Sequence, residues 1–312
     1  MLFSVVIPTY SRSQLLRATL ESVFAQTFTD YEVIVVDDGS TDDTQEMVMS
    51  YGEQVQLCRQ ENAGPGAARN LGVSHARGDY IAFLDSDDFW FPWTLSVFAK
   101  LIRENASPSI LAAKTFEFWQ DGKLPSLENE SPKAEWFADY YASASKHYSV
   151  GVGMAVVRRD QFAKMGGFTQ KRMKAEDHDL MMRMGTAPGF VQVRSPYTLT
   201  YRRHDASKTG DFLGTFAGVA YLLEQEERGA YPGEVPRAGE RREILTLHIR
   251  PVALTALKNG LRRKGWLLYR RTLRWHLRQG RWRFLLGFPV MAAISLLRIN
   301  PLGDRKPARQ LF

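Results

Sequence analysis

A continuous apolar run that ends in two acids, YEVIVVDD at residues 31–38, constrains the fold of this chain most strongly. An apolar run without polar interruption is typical of a central parallel strand that is covered on both faces. A helical pattern, LLRATLESVFAQ, separates this run from an earlier one, SVVIPTY. Further along, GPGAARNLGVSHA predicts a helix and DYIAFLDSDD predicts a third long strand. The alternation predicts βαβ units in a doubly wound sheet.

Polar clusters follow these predicted strands at the point where each strand ends. The clusters are PTYSR, DDGS and DSDD, and the last contains Asp85, Asp87 and Asp88. Ligands of doubly wound sheets bind beyond the carboxyl ends of the strands, so we expect the three clusters to line one crevice. Neighbouring carboxylates raise one another's pKa values unless a cation or hydrogen-bond donors compensate them. The sequence therefore predicts a positively charged partner for these acids.

Composition indicates a globular protein with two differently charged parts. The 312 residues are 44% hydrophobic and 12% aromatic, which is enough for one large α/β domain plus an appendage. Residues 237–312 contain eighteen Lys plus Arg against three acids, a charge of +15. Because the whole chain carries +7, the remainder carries −8. We therefore expect two regions with different roles.

Cysteine usage and the N-terminal segment bear on localisation. A single cysteine, Cys58, excludes an internal disulfide and a thiolate metal site, so a reducing compartment is expected. The first residues lack the basic region and the long apolar run of a secretory signal. We expect a cytoplasmic protein, located at the inner face of the cell membrane.

Five motifs in a fixed order resemble those of a known family. VVIPTYSR, VIVVDDGSTDDT, NAGPGAARNLG, GDYIAFLDSDD and AEDHDL together resemble the family-2 glycosyltransferases, over about residues 1–205. The resemblance implies the GT-A fold, an α/β architecture with a doubly wound, mixed but mostly parallel sheet and flanking helices, followed here by a C-terminal basic helical region. It also implies sugar transfer from a nucleotide-diphosphate donor with inversion.

The chain is divided accordingly into three predicted segments. Residues 1–107 form the nucleotide-sugar-binding half of the GT-A domain, and residues 108–210 form its donor- and acceptor-binding half. Residues 211–312 form the C-terminal basic, aromatic helical region.

DSDD resembles the family's DXD signature. The resemblance implies that Asp85 contacts the ribose or nucleotide and that Asp87 binds a divalent metal ion. Carboxylate oxygens suit Mn²⁺ or Mg²⁺, which stabilises the charge that develops on a diphosphate leaving group. The alternative is that these acids cap the helix after FWFPW, and for Asp88 both interpretations stay open. His204, after the last predicted strand, is a further candidate metal ligand.

The resemblance also implies residues that bind the nucleotide. Pro8, Tyr10 and Asp38 correspond to the family's base-binding segments, and the Asp38 carboxylate can accept a hydrogen bond from the imide N–H of uracil. An ordinary turn in DDGSTDD is the alternative, and the two roles can coexist. Arg69, within GPGAARN, brings a permanent cation toward the nucleotide or its phosphates.

AEDHDL corresponds to the family's ED motif. The resemblance implies that Asp177 is the general base that removes the proton of the acceptor hydroxyl, and that Glu176 binds or orients the acceptor. Acids at the start of a helix also interact favourably with its dipole, which is the structural alternative.

The C-terminal region interleaves Trp, Tyr and Leu with arginines. Its longest charge-free run, residues 284–297, is shorter than the roughly 20 residues that cross a bilayer. Gly265, Gly280 and Pro289 predict two or three short helices. Basic helices with Trp and Leu favour peripheral association with anionic membranes. Packing on the catalytic domain or on a partner is the alternative, and no nucleic-acid partner is expected because the front domain is acidic.

The sequence thus predicts an inverting, metal-dependent glycosyltransferase of the hexosyltransferase type. Its expected donor is a nucleotide-diphospho-sugar, with UDP favoured, and its expected acceptor is a hydroxyl of a glycan or lipid-linked molecule in surface polysaccharide or glycolipid synthesis. A sugar nucleotidyltransferase would carry a glycine-rich basic loop after the first strand, and PTYSRSQ has none. A non-catalytic nucleotide-sugar or glycan binding module on the same fold is the other alternative, against which intact DSDD and AEDHDL argue.

Overall fold

A computed structural model of the chain describes residues 1–119, 130–203 and 211–297. Its strands are β1 (Phe3–Thr9), β2 (Tyr31–Asp37), β3 (Gln56–Arg59), β4 (Tyr80–Phe83), β5 (Phe89–Trp90), β6 (Ile110–Ala112), β7 (Thr115–Trp119), β8 (Lys133–Phe137), β9 (Ala155–Arg158), β10 (Phe190–Ser195) and β11 (Leu199–Arg203). Its α-helices are α1 (Ser13–Phe24), α2 (Thr44–Met49), α3 (Pro65–His75), α4 (Thr94–Glu104), α5 (Arg159–Lys164), α6 (Glu176–Arg183), α7 (Phe212–Glu227), α8 (Ala238–Lys258), α9 (Arg262–Arg278) and α10 (Trp282–Leu297).

The strands form two sheets. The larger sheet has the order β3-β2-β1-β4-β9-β6-β10-β8, and the smaller has the order β5-β11-β7. Strands β1 to β4 are parallel to their neighbours within this group, and β6 is parallel to β10. Strands β8 and β9 run antiparallel to the strands beside them. The predicted α/β class with a mixed, mostly parallel sheet is confirmed.

Helices cover both faces of the apolar strands. Val5 and Ile7 of β1 belong to the same core cluster as Leu16 of α1. The intervening residue Val6 faces α3, where a Cβ at Gly72 would lie 2.5 Å from Val6 Cγ1. A glycine at this position therefore permits close packing of α3 on the sheet. The apolar run of β1 is buried along its whole length because both faces are covered.

Two segments have structures that their sequence patterns do not reveal. The segment LPSLENESPKAEW is mostly polar, yet its end lies in β8, which pairs with β10 at the edge of the sheet. Its alternating polar residues are typical of an edge strand and obscure the apolar signal. The segment FVQVRSPYTLTYRRH contains two strands, β10 and β11, which belong to different sheets. Pro196 separates them because it has no backbone N–H to donate to a ladder.

The chain divides into two compact units, residues 1–244 and 245–312. Within the second unit, α9 and α10 pack together through Tyr269 and Phe288, whose ring centroids are 4.6 Å apart. Gly265 and Pro289 were expected to interrupt the helices, but they lie inside α9 and α10. At Gly265 a Cβ would lie 2.9 Å from the Ala253 carbonyl oxygen, so this glycine serves close packing. In the described part of the chain, no helix combines the length and apolar character needed to cross a membrane.

Candidate active site

The carboxyl ends of β1, β2 and β4 lie side by side at one edge of the larger sheet. Thr9 of β1 is level with Asp37 of β2, and Val6 is level with Phe83 of β4. Because these strands are parallel, the segments PTYSR, DDGS and DSDD all leave the sheet at this edge. We call this edge the carboxylate edge.

Arginines bind the first two acids of DSDD, Asp85 and Asp87. Arg69 Nη2 donates to Asp85 Oδ1 at 2.6 Å, and Arg12 Nη1 donates to Asp87 Oδ2 at 2.6 Å. Hydrogen bonds between ionised groups at this distance are among the stronger ones in proteins. The positive partners that the sequence predicted for these acids are therefore present within the chain itself.

Asp88, the third acid, points into the protein. Its side chain is buried and accepts a hydrogen bond from the backbone N–H of Arg202 in β11 at 3.1 Å. Burial raises the pKa of Asp88, and the charges of Asp85 and Asp87 raise it further. Asp88 thus joins the end of β4 to the smaller sheet. None of the three acids caps the helix that follows FWFPW. This helix is α4, its N-cap residue is Trp93, and no side chain makes a capping hydrogen bond there.

Arg69 connects DSDD to the ED motif. Its guanidinium is buried, lies 5.5 Å from the ring centroid of Phe168, and places Nη1 3.5 Å from Glu176 Oε1. Burial disfavours the charged guanidinium, but the carboxylates of Asp85 and Glu176 outweigh this effect and raise the pKa of Arg69. One buried cation therefore bridges two motifs that are far apart in the sequence.

Helix α6 begins at the ED motif. Ala175 has a φ of 72° and turns the chain so that the helix starts at Glu176. Asp177 Oδ1 accepts from the backbone N–H of His178 at 2.8 Å and lies 2.8 Å from His178 Nδ1. Burial opposes the charge of both side chains, yet their attraction lowers the pKa of Asp177 and raises the pKa of His178. The Asp177 carboxylate is therefore held in its ionised form.

The other two acids of α6 differ in their surroundings. Burial raises the pKa of Glu176; Arg69 opposes the shift and the charge of Asp177 reinforces it. Asp179 is buried and accepts from Arg183 Nε at 2.9 Å and from the Tyr231 hydroxyl at 3.2 Å. Because protein donors occupy both of its oxygens, Asp179 anchors the helix.

Two glycines lie beside the acids. A Cβ at Gly153 would lie 2.7 Å from Asp85 Oδ2, and a Cβ at Gly151 would lie 3.5 Å from Asp177 Oδ2. At the first position a larger residue would displace the Asp85 carboxylate, so glycine is required there. The motifs did not reveal this contact, although the alternation in VGVGM is a signal of close backbone approach.

The candidate nucleotide residues lie at the same edge. Pro8 is within β1, and Tyr10 follows it with 44% of its surface exposed. Asp38 accepts hydrogen bonds from the backbone N–H groups of Ala63 at 2.8 Å and Gly64 at 2.9 Å. Asp38 therefore braces the loop that leads into α3. The turn considered for DDGS is also present, because the backbone N–H of Ser40 donates to Asp37 Oδ1 at 2.8 Å.

Asp85 and Asp87 are carboxylates at this edge that could hold a divalent cation. Within residues 1–119, 130–203 and 211–297, no group of three or more His, Cys, Asp or Glu side chains could hold a metal ion. A cation that binds a nucleotide diphosphate needs only one or two protein carboxylates, because phosphate oxygens supply further ligands. The pair fits a site of that kind. His204 lies outside the described residues.

The motifs assigned no role to three basic residues of this edge, namely Arg12, Arg202 and His178. Each contacts an acid of DSDD or of the ED motif or a backbone group within them. Arg12 stands inside PTYSR, so its proximity to the edge could have been inferred from strand order. The pairing of Arg202 with the end of β4 depends on the smaller sheet, for which the sequence carries no clear pattern.

A family model matches the part of the chain that builds this edge. The model described as glycosyl transferase family 2 matches residues 4–166, which is more than half of the chain. The chain belongs to glycosyl transferase family 2. The family indicated by the five motifs is thereby confirmed.

Curated relatives of this family-2 protein are uncharacterized glycosyltransferases. One from Haemophilus influenzae is 28% identical over 229 residues, which is 72% of this chain and 76% of the relative. One from Rickettsia felis is 41% identical over 104 residues, which is 33% of this chain but only 17% of the relative. The higher identity to the Rickettsia felis relative therefore applies only to a short segment of that longer protein.

Solved structures share the fold of this family-2 protein. Staphylococcus aureus TarS 1–349, in complex with UDP-GlcNAc, has a TM-score of 0.61 and 20% identity, covering 90% of this chain and 92% of TarS 1–349. The mannosyltransferase PcManGT of Pyrobaculum calidifontis, in complex with GDP-Man and Mn²⁺, has a TM-score of 0.51 and 19% identity, covering 95% of this chain and 87% of PcManGT. At these identities the likeness concerns the fold alone.

Proposed function

We propose that this family-2 protein is an inverting, metal-dependent glycosyltransferase that takes its sugar from a nucleotide-diphospho-sugar, with UDP as the favoured nucleotide. The observation that carries the proposal is the bridge formed by Arg69 between Asp85 and Glu176. It brings the DXD-like segment, assigned to the donor, next to the ED motif, assigned to the acceptor. Donor and acceptor sites must adjoin for a single displacement step.

The transfer step follows from inversion. The acceptor hydroxyl oxygen bonds to the anomeric carbon while the bond to the diphosphate oxygen breaks, and the electron pair of that bond stays with the diphosphate. Asp177 accepts the hydroxyl proton, and its lowered pKa keeps it ionised and ready to do so. His178 positions the carboxylate. Glu176, the residue before Asp177, binds or orients the acceptor.

Donor binding is assigned to the residues at the strand ends. We propose that Pro8 and Tyr10 flank the base and that Asp38 contacts it, while Arg69 and Asp85 contact the ribose or phosphates. The carboxylate of Asp87 would hold Mn²⁺ or Mg²⁺, with His204 as a further candidate ligand. Such a cation would neutralise the negative charge that develops on the leaving diphosphate.

Neighbouring structures support the donor class. TarS binds UDP-GlcNAc and PcManGT binds GDP-Man with Mn²⁺, so proteins of this fold accept nucleotide-diphospho-sugars with two different bases. We favour UDP because the carboxylate of Asp38 suits the imide N–H of uracil.

We further propose that the acceptor is a glycan or lipid-linked molecule of surface polysaccharide or glycolipid synthesis, and that the protein associates with the inner face of the cell membrane. Helix α10 presents an exposed apolar stripe of Trp282, Leu286, Val290 and Ile294. Their four-residue spacing turns successive side chains by about 40°, so they share one side of the helix. Opposite them, Phe284 and Phe288 are buried.

Helix α9 presents a basic stripe in the same unit. Its exposed residues at helical spacing are Arg263, Leu267, Arg270, Arg274, Leu277 and Arg278. Arginines that surround leucines are typical of helices that lie in a membrane interface, where the apolar side chains insert and the cations meet anionic headgroups. An anionic lipid surface therefore fits both helices.

Release of the nucleoside diphosphate tests the proposed activity. Wild-type protein incubated with UDP-GlcNAc, UDP-glucose, UDP-galactose or GDP-mannose and Mn²⁺ should release nucleoside diphosphate slowly from at least one donor, because water can replace the acceptor. The expected release is lost in Asp177→Asn. Donor binding without release from any donor, even with membrane extract added as acceptor, would favour a non-catalytic binding module.

A further inference from the structure

Arg12 is already bound where a divalent cation would bind. It is the N-cap residue of α1, in the short segment between β1 and α1, and its Nη1 donates to Asp87 Oδ2 at 2.6 Å. The two side chains are 22% and 18% exposed, so water screens their attraction only in part. Asp87 therefore has a resident counter-ion, and a metal ion must compete with it or share the carboxylate with it.

Arg12 differs from the other two arginines of the edge. The side chain of Arg69 is 7% exposed and is fixed by two carboxylates, and Arg202 is buried against the ring of Phe89, whose centroid lies 4.0 Å from its Cζ. Arg12 is more exposed and stands at the start of a helix, so its long side chain can change rotamer without disturbing the core. It is the exchangeable cation of the three.

We propose that Arg12 is an exchangeable counter-ion that competes with the divalent cation for Asp87 and, once displaced, binds the diphosphate of the donor. The inference rests on the proposed function, because it takes a nucleotide diphosphate as the ligand. The guanidinium is permanently charged and matches phosphate oxygens as well as carboxylate oxygens, so the exchange keeps it paired. Cation and donor thereby reinforce each other's binding.

If Arg12 exchanges in this way, Arg12→Gln should change two affinities in opposite directions. Binding of Mn²⁺ alone, followed by the electron paramagnetic resonance signal of free Mn²⁺, should tighten by roughly fivefold, because a competitor worth about 1 kcal/mol is removed. Binding of UDP at saturating Mn²⁺, measured by calorimetry, should weaken by about tenfold, because one charged phosphate contact is lost. Arg12→Lys keeps the charge and should lie between Arg12→Gln and wild type in both measurements.

Arg17→Gln is the matched control, because Arg17 is an exposed arginine of the same helix α1 and should leave both affinities unchanged. Equal Mn²⁺ affinity for wild type and Arg12→Gln would overturn the exchange, provided that Asp87→Asn abolishes binding. Unchanged Mn²⁺ binding by Asp87→Asn would instead refute the metal role of Asp87 in the proposed function, and the exchange with it. Weaker Mn²⁺ binding by Arg12→Gln would also contradict competition.

Discussion

Residues 1–244 hold several acids of the candidate site in ion pairs, whereas residues 245–297 contain eleven Lys plus Arg and no acid. At the carboxylate edge, arginines of the same unit neutralise Asp85 and Asp87 before any ligand arrives. In the second unit, no carboxylate side chain of the described residues can neutralise the excess. The acids of the first region are therefore paired within their own unit, whereas the described residues of the second keep an excess of positive charge.

Two histidines illustrate the same contrast. In the first unit the pKa of His178 is raised, because the attraction of Asp177 outweighs burial. In the second unit burial, together with the charges of Arg281 and Arg250, lowers the pKa of His276 to about 4. Neither ring nitrogen of His276 has a hydrogen-bond partner among the described residues. A carboxylate favours the charged form of one histidine, and a basic, apolar environment favours the neutral form of the other.

The largest expected effect is on catalysis at Asp177. Asp177→Asn keeps the shape of the side chain and removes its basicity, so transfer should fall by about 10²- to 10⁴-fold. Donor affinity should stay within about twofold, because the proposed donor contacts lie on other residues. Steady-state kinetics and calorimetry on the same preparation measure both quantities. Near-normal turnover would move the base to Glu176.

The next effect is on the stability of the carboxylate edge. Arg69→Leu leaves Asp85 and Glu176 without their shared cation, so the free energy of unfolding should fall by about 3 kcal/mol. Arg77→Leu is the control: its arginine pairs with Glu32 but is 73% exposed, and the expected loss is below about 1 kcal/mol. Urea denaturation measures both losses. Equal losses would contradict the claim that Arg69 is the centre of a preorganised site.

A smaller effect is expected from His276 on acidification. Its folded pKa of about 4 lies below the unfolded value of about 6.5, so the unfolded state binds the proton first as the pH falls. Between pH 7 and pH 5 the wild type should lose about 2 kcal/mol relative to His276→Leu. Denaturation of both proteins at the two pH values measures this difference. His178 has the opposite sign, since its stabilising pair is complete below about pH 6.5 and is lost as the pH rises through the raised folded pKa.

How far these features follow from the sequence differs between the two regions. The strand ends of the carboxylate edge were predictable, because continuous apolar runs such as YEVIVV and the acids that follow them carry a local pattern. The arginine partners of those acids were only partly predictable. Strand order places Arg12 at this edge, but its pairing with Asp87 is seen only in the structure. In the second unit the basic character was predictable, but the helix boundaries were not. Gly265 signalled a break and instead provides close packing.

The smallest expected effect concerns membrane binding. Trp282→Ser combined with Leu286→Ser removes two of the apolar side chains of α10, so co-sedimentation with phosphatidylglycerol vesicles should weaken by about tenfold. Trp136→Ser, which removes another exposed tryptophan from β8, should leave binding unchanged. Higher salt should weaken the wild type because it screens the basic residues. Equal binding to neutral vesicles would contradict the preference for anionic lipid, and self-association lost in the double variant would favour a partner surface over a membrane.

Thermal unfolding of wild type and Asp87→Ala with nucleotide sugars tests the central claim most directly. UDP-, GDP-, dTDP- and CMP-sugars are each added with and without Mn²⁺, since a ligand that binds the folded state raises the melting temperature. We predict that one donor, with UDP favoured, raises the melting temperature of the wild type in the presence of Mn²⁺, and that Asp87→Ala loses this rise. A rise of equal size in Asp87→Ala, or no rise with any donor, would contradict a metal-dependent donor site at the carboxylate edge.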